Sequence, residues 1–168
     1  MLPIDVLYLP EQPVHDAAIE SINAEAFGPG RFTKSSYKIR EAGPHDRALS
    51  FVAIKNDEVI ASVRMTPIAA GAGKALLLGP LAVRPAFKNL GIGRKLVAVA
   101  VKAASEAGCG AVLLVGDEPY YGQLGFQRMP YGQITMPRPT DPARLLAYEI
   151  TDGAVAQLRG AVRHANPL

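Results

Sequence analysis

Residues 83–94 read Val-Arg-Pro-Ala-Phe-Lys-Asn-Leu-Gly-Ile-Gly-Arg and join an apolar run at 76–83 to an Ala- and Val-rich stretch at 94–107 with helical periodicity. Glycines and cations therefore collect where a helix begins. The first turn of a helix presents N–H groups without intrahelical partners, together with a partial positive charge, so it attracts anions. Gly91 and Gly93 lack a side chain and let a phosphate approach the backbone closely. Lys88, Arg94 and Lys95 surround them with positive charge. The local expectation is a pyrophosphate cradle between a strand and a helix.

Rival anion motifs narrow the reading. A phosphate loop of the G-x-x-x-x-G-K-[ST] type is absent, and Leu96 stands where a dinucleotide fingerprint needs its third glycine. The 83–94 string resembles V-x-P-x-x-[QR]-G-x-G-x-[GA], the acetyl-CoA pyrophosphate loop of the GNAT acyltransferase superfamily. Lys88 replaces Gln or Arg, keeping charge without the planar fork. Asn89 replaces Gly, and Asn is among the few residues that tolerate a left-handed backbone. About thirty residues on, Tyr121-Gly122-Gln123-Leu124-Gly125-Phe126 resembles the Y-x-x-x-G-F element of the same family. The resemblance extends to most of the chain, is weakest over 10–48, and is nearest to small bacterial proteins described as predicted N-acetyltransferases.

The patterning agrees with a mixed α/β (α+β) fold. Strands are expected at 4–9, 49–55, 59–66, 75–83, 111–115, 126–128, 134–136, 144–150 and 161–164. Helices are expected at 14–27, 35–41 and 94–107, with a brief one after Asp117-Glu118-Pro119 and a helical turn near 154–158. Asn56-Asp57-Glu58 suits a hairpin turn, and the wholly apolar 111–115 suits a strand covered on both faces. With 168 residues, no repeat and no linker, residues 1–168 are expected to form one domain. The resemblance implies a central mixed sheet of about seven strands flanked by helices and splayed between strands 4 and 5.

The resemblance also assigns roles. Backbone groups of Leu81, Ala82 and Val83 would pair with the pantetheine arm of acetyl-CoA, one of them polarising the thioester carbonyl. Lys88, Asn89, Leu90, Gly91, Ile92, Gly93 and Arg94 would hold the pyrophosphate. Tyr121 would protonate the departing thiolate, with packing under the cofactor as the alternative. The implied activity is direct transfer of an acetyl group to a primary amine of a small molecule or protein; the alternative is a non-catalytic acyl-CoA-binding sensor. Asp117 is the candidate base for the amine. Its alternative role is helix capping before Pro119, where negative charge is favourable in any protein.

Other chemistry finds little support. His15, His45 and His164 are expected at the surface, and three scattered histidines with one cysteine show no metal-ligand spacing. Cys109, in a Gly-Cys-Gly turn, is expected to be structural. A formal charge of +3, with cations dispersed outside the loop, argues against nucleic acid as the main partner. The apolar runs are too short to cross a bilayer, the first residues do not read as a signal peptide, and a cytoplasmic monomer or homodimer is expected. Acceptor choice should fall to residues 27–45 and 129–143. There Arg31, Lys34, Lys38, Arg40 and Arg138, with Phe32, Tyr37 and Tyr131, fit either an anionic acceptor or a solvated basic face. The solvated face is the more economical reading.

Overall fold

Ala111–Val115 (β5) carries the packing of the whole molecule: Val112 and Leu114 face one side of the sheet, Ala111 and Leu113 the other, and all four are buried. Such a strand needs cover on both faces, and the chain supplies it. The computed structural model describes residues 5–30 and 35–165. The elements follow in the order Leu7–Pro10 (β1), Asp16–Phe27 (α1), Ser35–Glu41 (α2), Phe51–Lys55 (β2), Glu58–Ala70 (β3), Gly73–Val83 (β4) and Ile92–Glu106 (α3). After β5 come Glu118–Gly122 (α4), Gln127–Arg128 (β6), Ile134–Thr135 (β7), Leu145–Glu149 (β8) and Gly160–His164 (β9). The sheet runs β1-β2-β3-β4-β5-β8-β6, a path of seven, with β9 pairing β3 and β7 off that path.

Helix α3 buries Ile92, Leu96, Val97, Ala100 and Ala104, one stripe at helical spacing, against Val63, Met65, Leu76 and Val112. On the opposite face, Ile39 of α2 joins Ile68, Leu77, Leu113 and Leu158, while Ile19 and Ile22 of α1 cover Val52 and Val59. Asn56 and Asp57 both take positive φ, +50° and +64°, which lets a two-residue turn join β2 to β3 with the twist of the strands.

The central hairpin is longer than the sequence pattern suggests. The expected strands stop at 66 and resume at 75, yet β3 runs to Ala70 and β4 starts at Gly73. Ala69 and Ala70 pair with Lys74 and Gly73, and again with β9, so small residues that lack turn character are held in ladder bonds on both sides. The expected strand at 4–9 is found from Leu7; Ile4 lies outside the described residues.

Candidate active site

Strands β4 and β5 run parallel, but pair only at Leu76↔Val112 and Leu77↔Leu113. Beyond that point β4 continues to Val83 with β3 alone as its neighbour, through Val63↔Leu81, Ser62↔Ala82 and Ala61↔Val83. A bulge starts the divergence: Met65 pairs Leu78 and Val63 pairs Leu81, so β4 holds one residue more than β3 around Gly79-Pro80. The outer edge of Leu81–Val83 is thus an open strand edge, the geometry that accepts an extended, amide-bearing arm. A cavity of about 980 Å³ fills the divergence, bounded by the ends of β4 and β5, by α1 and α2, and by the 139–144 segment.

The glycine loop opens α3 at the rim of this sheet. Asn89 has φ +64° and Gly91, at the helix N-cap, φ +81°. No side chain caps α3, and a Cβ built on Gly91 would meet nothing within 4 Å. The free first-turn N–H groups therefore face open space that an anion can enter. Gly93 is tighter: a Cβ there would lie 3.1 Å from the Tyr120 hydroxyl. Arg94 donates to Gln123 Oε1 at 2.6 Å and lies 6.0 Å from the Tyr120 ring centroid, tying the helix start to α4. Lys88, Asn89, Leu90 and Gly91 are exposed, and Ile92 turns inward to anchor the loop. This surface fits a polyphosphate: backbone donors, two left-handed residues and nearby cations, with no wall in the way.

Tyr121 and Asp117 reach the same cavity from the other strand. Gly116 makes room for Tyr121, because a Cβ there would lie 2.5 Å from the ring. Phe126 closes the ring's other side, edge-on at 5.8 Å between centroids, and the Phe126 N–H donates to the Tyr121 carbonyl. The Y-x-x-x-G-F spacing is therefore one packed unit. Burial, then the neighbouring Tyr120, pushes the Tyr121 hydroxyl up to about 12, against an opposing pull from Arg144 and with a lesser push from Asp117. Asp117 is the N-cap of α4 in position, yet its side chain makes no capping hydrogen bond. It stands exposed on the cavity wall, free for another partner.

The remaining wall is built from charged side chains far apart in sequence. Glu11, 2% exposed, accepts from Arg64 Nε at 3.1 Å and from Arg47 Nη1 at 3.0 Å, and His45 Nε2 lies 2.8 Å from its carboxylate. Asp16 completes the group by accepting from both Nη atoms of Arg47 and from Arg64 Nη2. Burial alone would raise the Glu11 pKa; the bonds from His45 and Arg64 outweigh it and hold the carboxyl below its ordinary value. Arg64 and His45 both line the cavity. No motif marks any of this group, and its trace in the sequence is slight: Arg64, the one cation in β3.

Three surface expectations need correction. His45 lines the cavity with its side chain 19% exposed, because Glu11 draws it inward. His164 is buried at 8%, its Nε2 2.8 Å from the Pro44 carbonyl, because β9 adds to the long β3. Arg40 is half-buried rather than on a solvated face: its Nε is buried and the residue lines the cavity. Lys38 and Arg138 are exposed and Tyr131 is 89% exposed, whereas Arg31, Phe32 and Lys34 lie outside the described residues. Cys109 is partly buried, and burial, with Asp46's charge second, pushes its thiol up, so the protonated form is favoured. Among the described residues no group of three or more His, Cys, Asp or Glu could hold a metal ion, and no helix is long and apolar enough to cross a membrane.

The structure thus has a strand opening beside an uncapped helix start, and similarity to known proteins gives the family. Residues 17–126 match the model of the acetyltransferase (GNAT) family. The chain is 24% identical over 157 residues to the uncharacterized N-acetyltransferase YhbS of Escherichia coli K12, covering 92% of this chain and 93% of that one. The structure superposes on the crystal structure of E. coli YhbS in complex with CoA with a TM-score of 0.82 at 23% identity, over 98% of this chain and 92% of that one. A GNAT acetyltransferase from Brucella melitensis in complex with acetyl-CoA gives a TM-score of 0.60 at 26% identity, over 87% and 97% of the two chains. The chain belongs to the GNAT family of acetyltransferases.

Proposed function

We propose that this protein is an N-acetyltransferase that passes the acetyl group of acetyl-CoA directly to a primary amine, with Asp117 and Tyr121 handling the protons. Bound acetyl-CoA supplies a thioester carbonyl for attack and a sulfur that leaves as thiolate. The observation that carries the reading is the Tyr121 seat: Gly116 and Phe126 fix the ring in the β4–β5 opening, beside the uncapping Asp117 carboxylate. The open edge of Leu81, Ala82 and Val83 would hold the donor's amide-bearing arm, and the N–H groups of 89–94 its pyrophosphate.

An amine that reaches the site as ammonium must lose a proton before it attacks, and Asp117, the exposed cavity carboxylate next to the Tyr121 helix, is the proposed acceptor of that proton. Tyr121 stays protonated at neutral pH because its pKa is about 12. A thiol ionises near about 8.5, so complete transfer from tyrosine to a free thiolate is uphill. Its hydroxyl therefore acts by donating a hydrogen bond to the charge that develops on sulfur, a role in which a dry setting strengthens the effect. The experiment is release of coenzyme A, followed with a thiol reagent across a panel of amines, for wild type and Tyr121→Phe. Turnover by wild type and its loss in the variant are expected. Tight acetyl-CoA binding with no turnover on any amine would make the protein an acyl-CoA sensor instead.

A further inference from the structure

Among the described residues, every cation on the cavity wall except two has a carboxylate partner. Arg64 is neutralised by Glu11 and Asp16, and His45 lies against Glu11. Arg144 is exposed to solvent, which screens it. Arg40 is different: it lines the cavity, its Nε is buried, and no hydrogen bond reaches that atom. Among the described residues no carboxylate pairs with its guanidinium. An isolated buried charge is costly, so a folded chain keeps one only where something compensates it. Burial, and next the like charge of Arg64, lower the Arg40 pKa to about 10, which still leaves it cationic at neutral pH.

Two further features show that this arginine has a built setting. Its Nη2 stands 2.8 Å from where a Cβ of Gly79 would be, so the bare backbone of the β4 bulge makes room for the guanidinium beside the strand opening. Asn23 of α1, 4% exposed, shares the cavity, and its Oδ1 is likewise buried without a partner. One wall thus offers an unmatched fork of donors, an unmatched acceptor lies nearby, and the Asp117 carboxylate stands at the end of β5.

We infer that the acetyl acceptor is an amine that also carries a carboxylate, and that Arg40 binds that carboxylate while the amine lies toward Asp117. The inference rests on the N-acetyltransferase reading and names the substrate class for it. A carboxylate matches the planar fork of arginine in a bidentate pair and cancels the charge that the fold leaves open. Asn23 Oδ1 would accept an N–H from the same molecule.

The test uses matched pairs: α-amino acids and their carboxamides as acceptors, with wild type, Arg40→Gln and Arg40→Lys. Wild type is expected to show a KM for the acids about 10- to 100-fold below that for the amides, as charged hydrogen bonds allow. Arg40→Gln should erase that preference through KM, leave kcat nearly unchanged, and leave acetyl-CoA affinity as it was; Arg40→Lys should restore part of it. Replacing an uncompensated buried cation by a neutral group favours folding, so the Gln variant is expected to be at least as stable. Calorimetric binding of N-acetyl amino acids and N-acetyl amino-acid amides in the presence of coenzyme A reads the same contrast without turnover. Amides used as well as acids, or an acid preference that survives Arg40→Gln, would overturn the inference. Acid-selective binding that needs Arg40, with no acetyl transfer to any amine, would support the anion site and sink the transferase reading instead.

Discussion

The proposed donor side and the proposed acceptor side of this molecule are made from different material. The donor side is backbone: an open β4 edge, a bulge, and a helix start in which Asn89 and Gly91 take left-handed φ. The acceptor side is side chains: Arg40, His45 and Arg64 come from three separate segments and line one cavity, and Glu11 and Asp16, from two more, hold Arg64 in place. Backbone geometry leaves a local mark, because only certain residues tolerate it. A side-chain wall leaves none, since each member is an ordinary charged residue until the fold brings it to its partners.

That contrast explains what was legible beforehand. The turn at Asn56-Asp57, the helix start at Gly91 and the doubly covered β5 were readable because each imposes a short-range pattern. Helix α2 and β5 fall on the expected residues. The extension of β3 and β4 through residues 69–73 was not readable: Ala and Gly favour neither state strongly, and pairing with the distant β9 decided it. His45 and Arg40 were legible only as polar residues in a polar stretch. What draws the first inward is Glu11, 34 positions away and itself buried by a fold the local sequence does not announce. Tyr121 shows both sides at once, since its motif marked it and the packing of Gly116 and Phe126 explains the spacing.

The largest expected effect tests whether chemistry crosses the boundary. Tyr121→Phe should lower kcat by about 10²- to 10³-fold, the loss of one donor to developing charge, with the calorimetric affinity for acetyl-CoA unchanged. A variant with full kcat would reduce Tyr121 to a packing residue. Next, Glu11→Ala strikes the acceptor wall alone and should cost about 3 kcal/mol in urea unfolding, the low end for a broken buried pair because Asp16 still holds both arginines. The folded Glu11 pKa lies below its ordinary 4.5, so the unfolded chain takes up the proton first as pH falls. Its contribution is complete above 4.5 and fades below, and Glu11→Gln should flatten that acid limb.

The donor side is probed by Gly91→Val. A β-branched residue at φ +81° is strained, and its side chain would stand in the space kept open over the loop. Acetyl-CoA affinity should fall about 100-fold, or roughly 2.7 kcal/mol, while the amine-side KM holds. Asn89→Ala is the mildest change, because it removes only a residue type tolerant of φ +64°. It should weaken acetyl-CoA binding about fivefold, an effect of roughly 1 kcal/mol. Equal damage to both sides from either variant would erase the distinction between them.

The most direct measurement is amide hydrogen exchange with and without acetyl-CoA. A donor held by backbone groups must slow exchange at residues 89–94 and along 81–83, while β1 and β2 stay unchanged. Protection concentrated elsewhere, with residues 81–83 and 89–94 exchanging as fast as before, would contradict the placement of the donor in the β4–β5 opening.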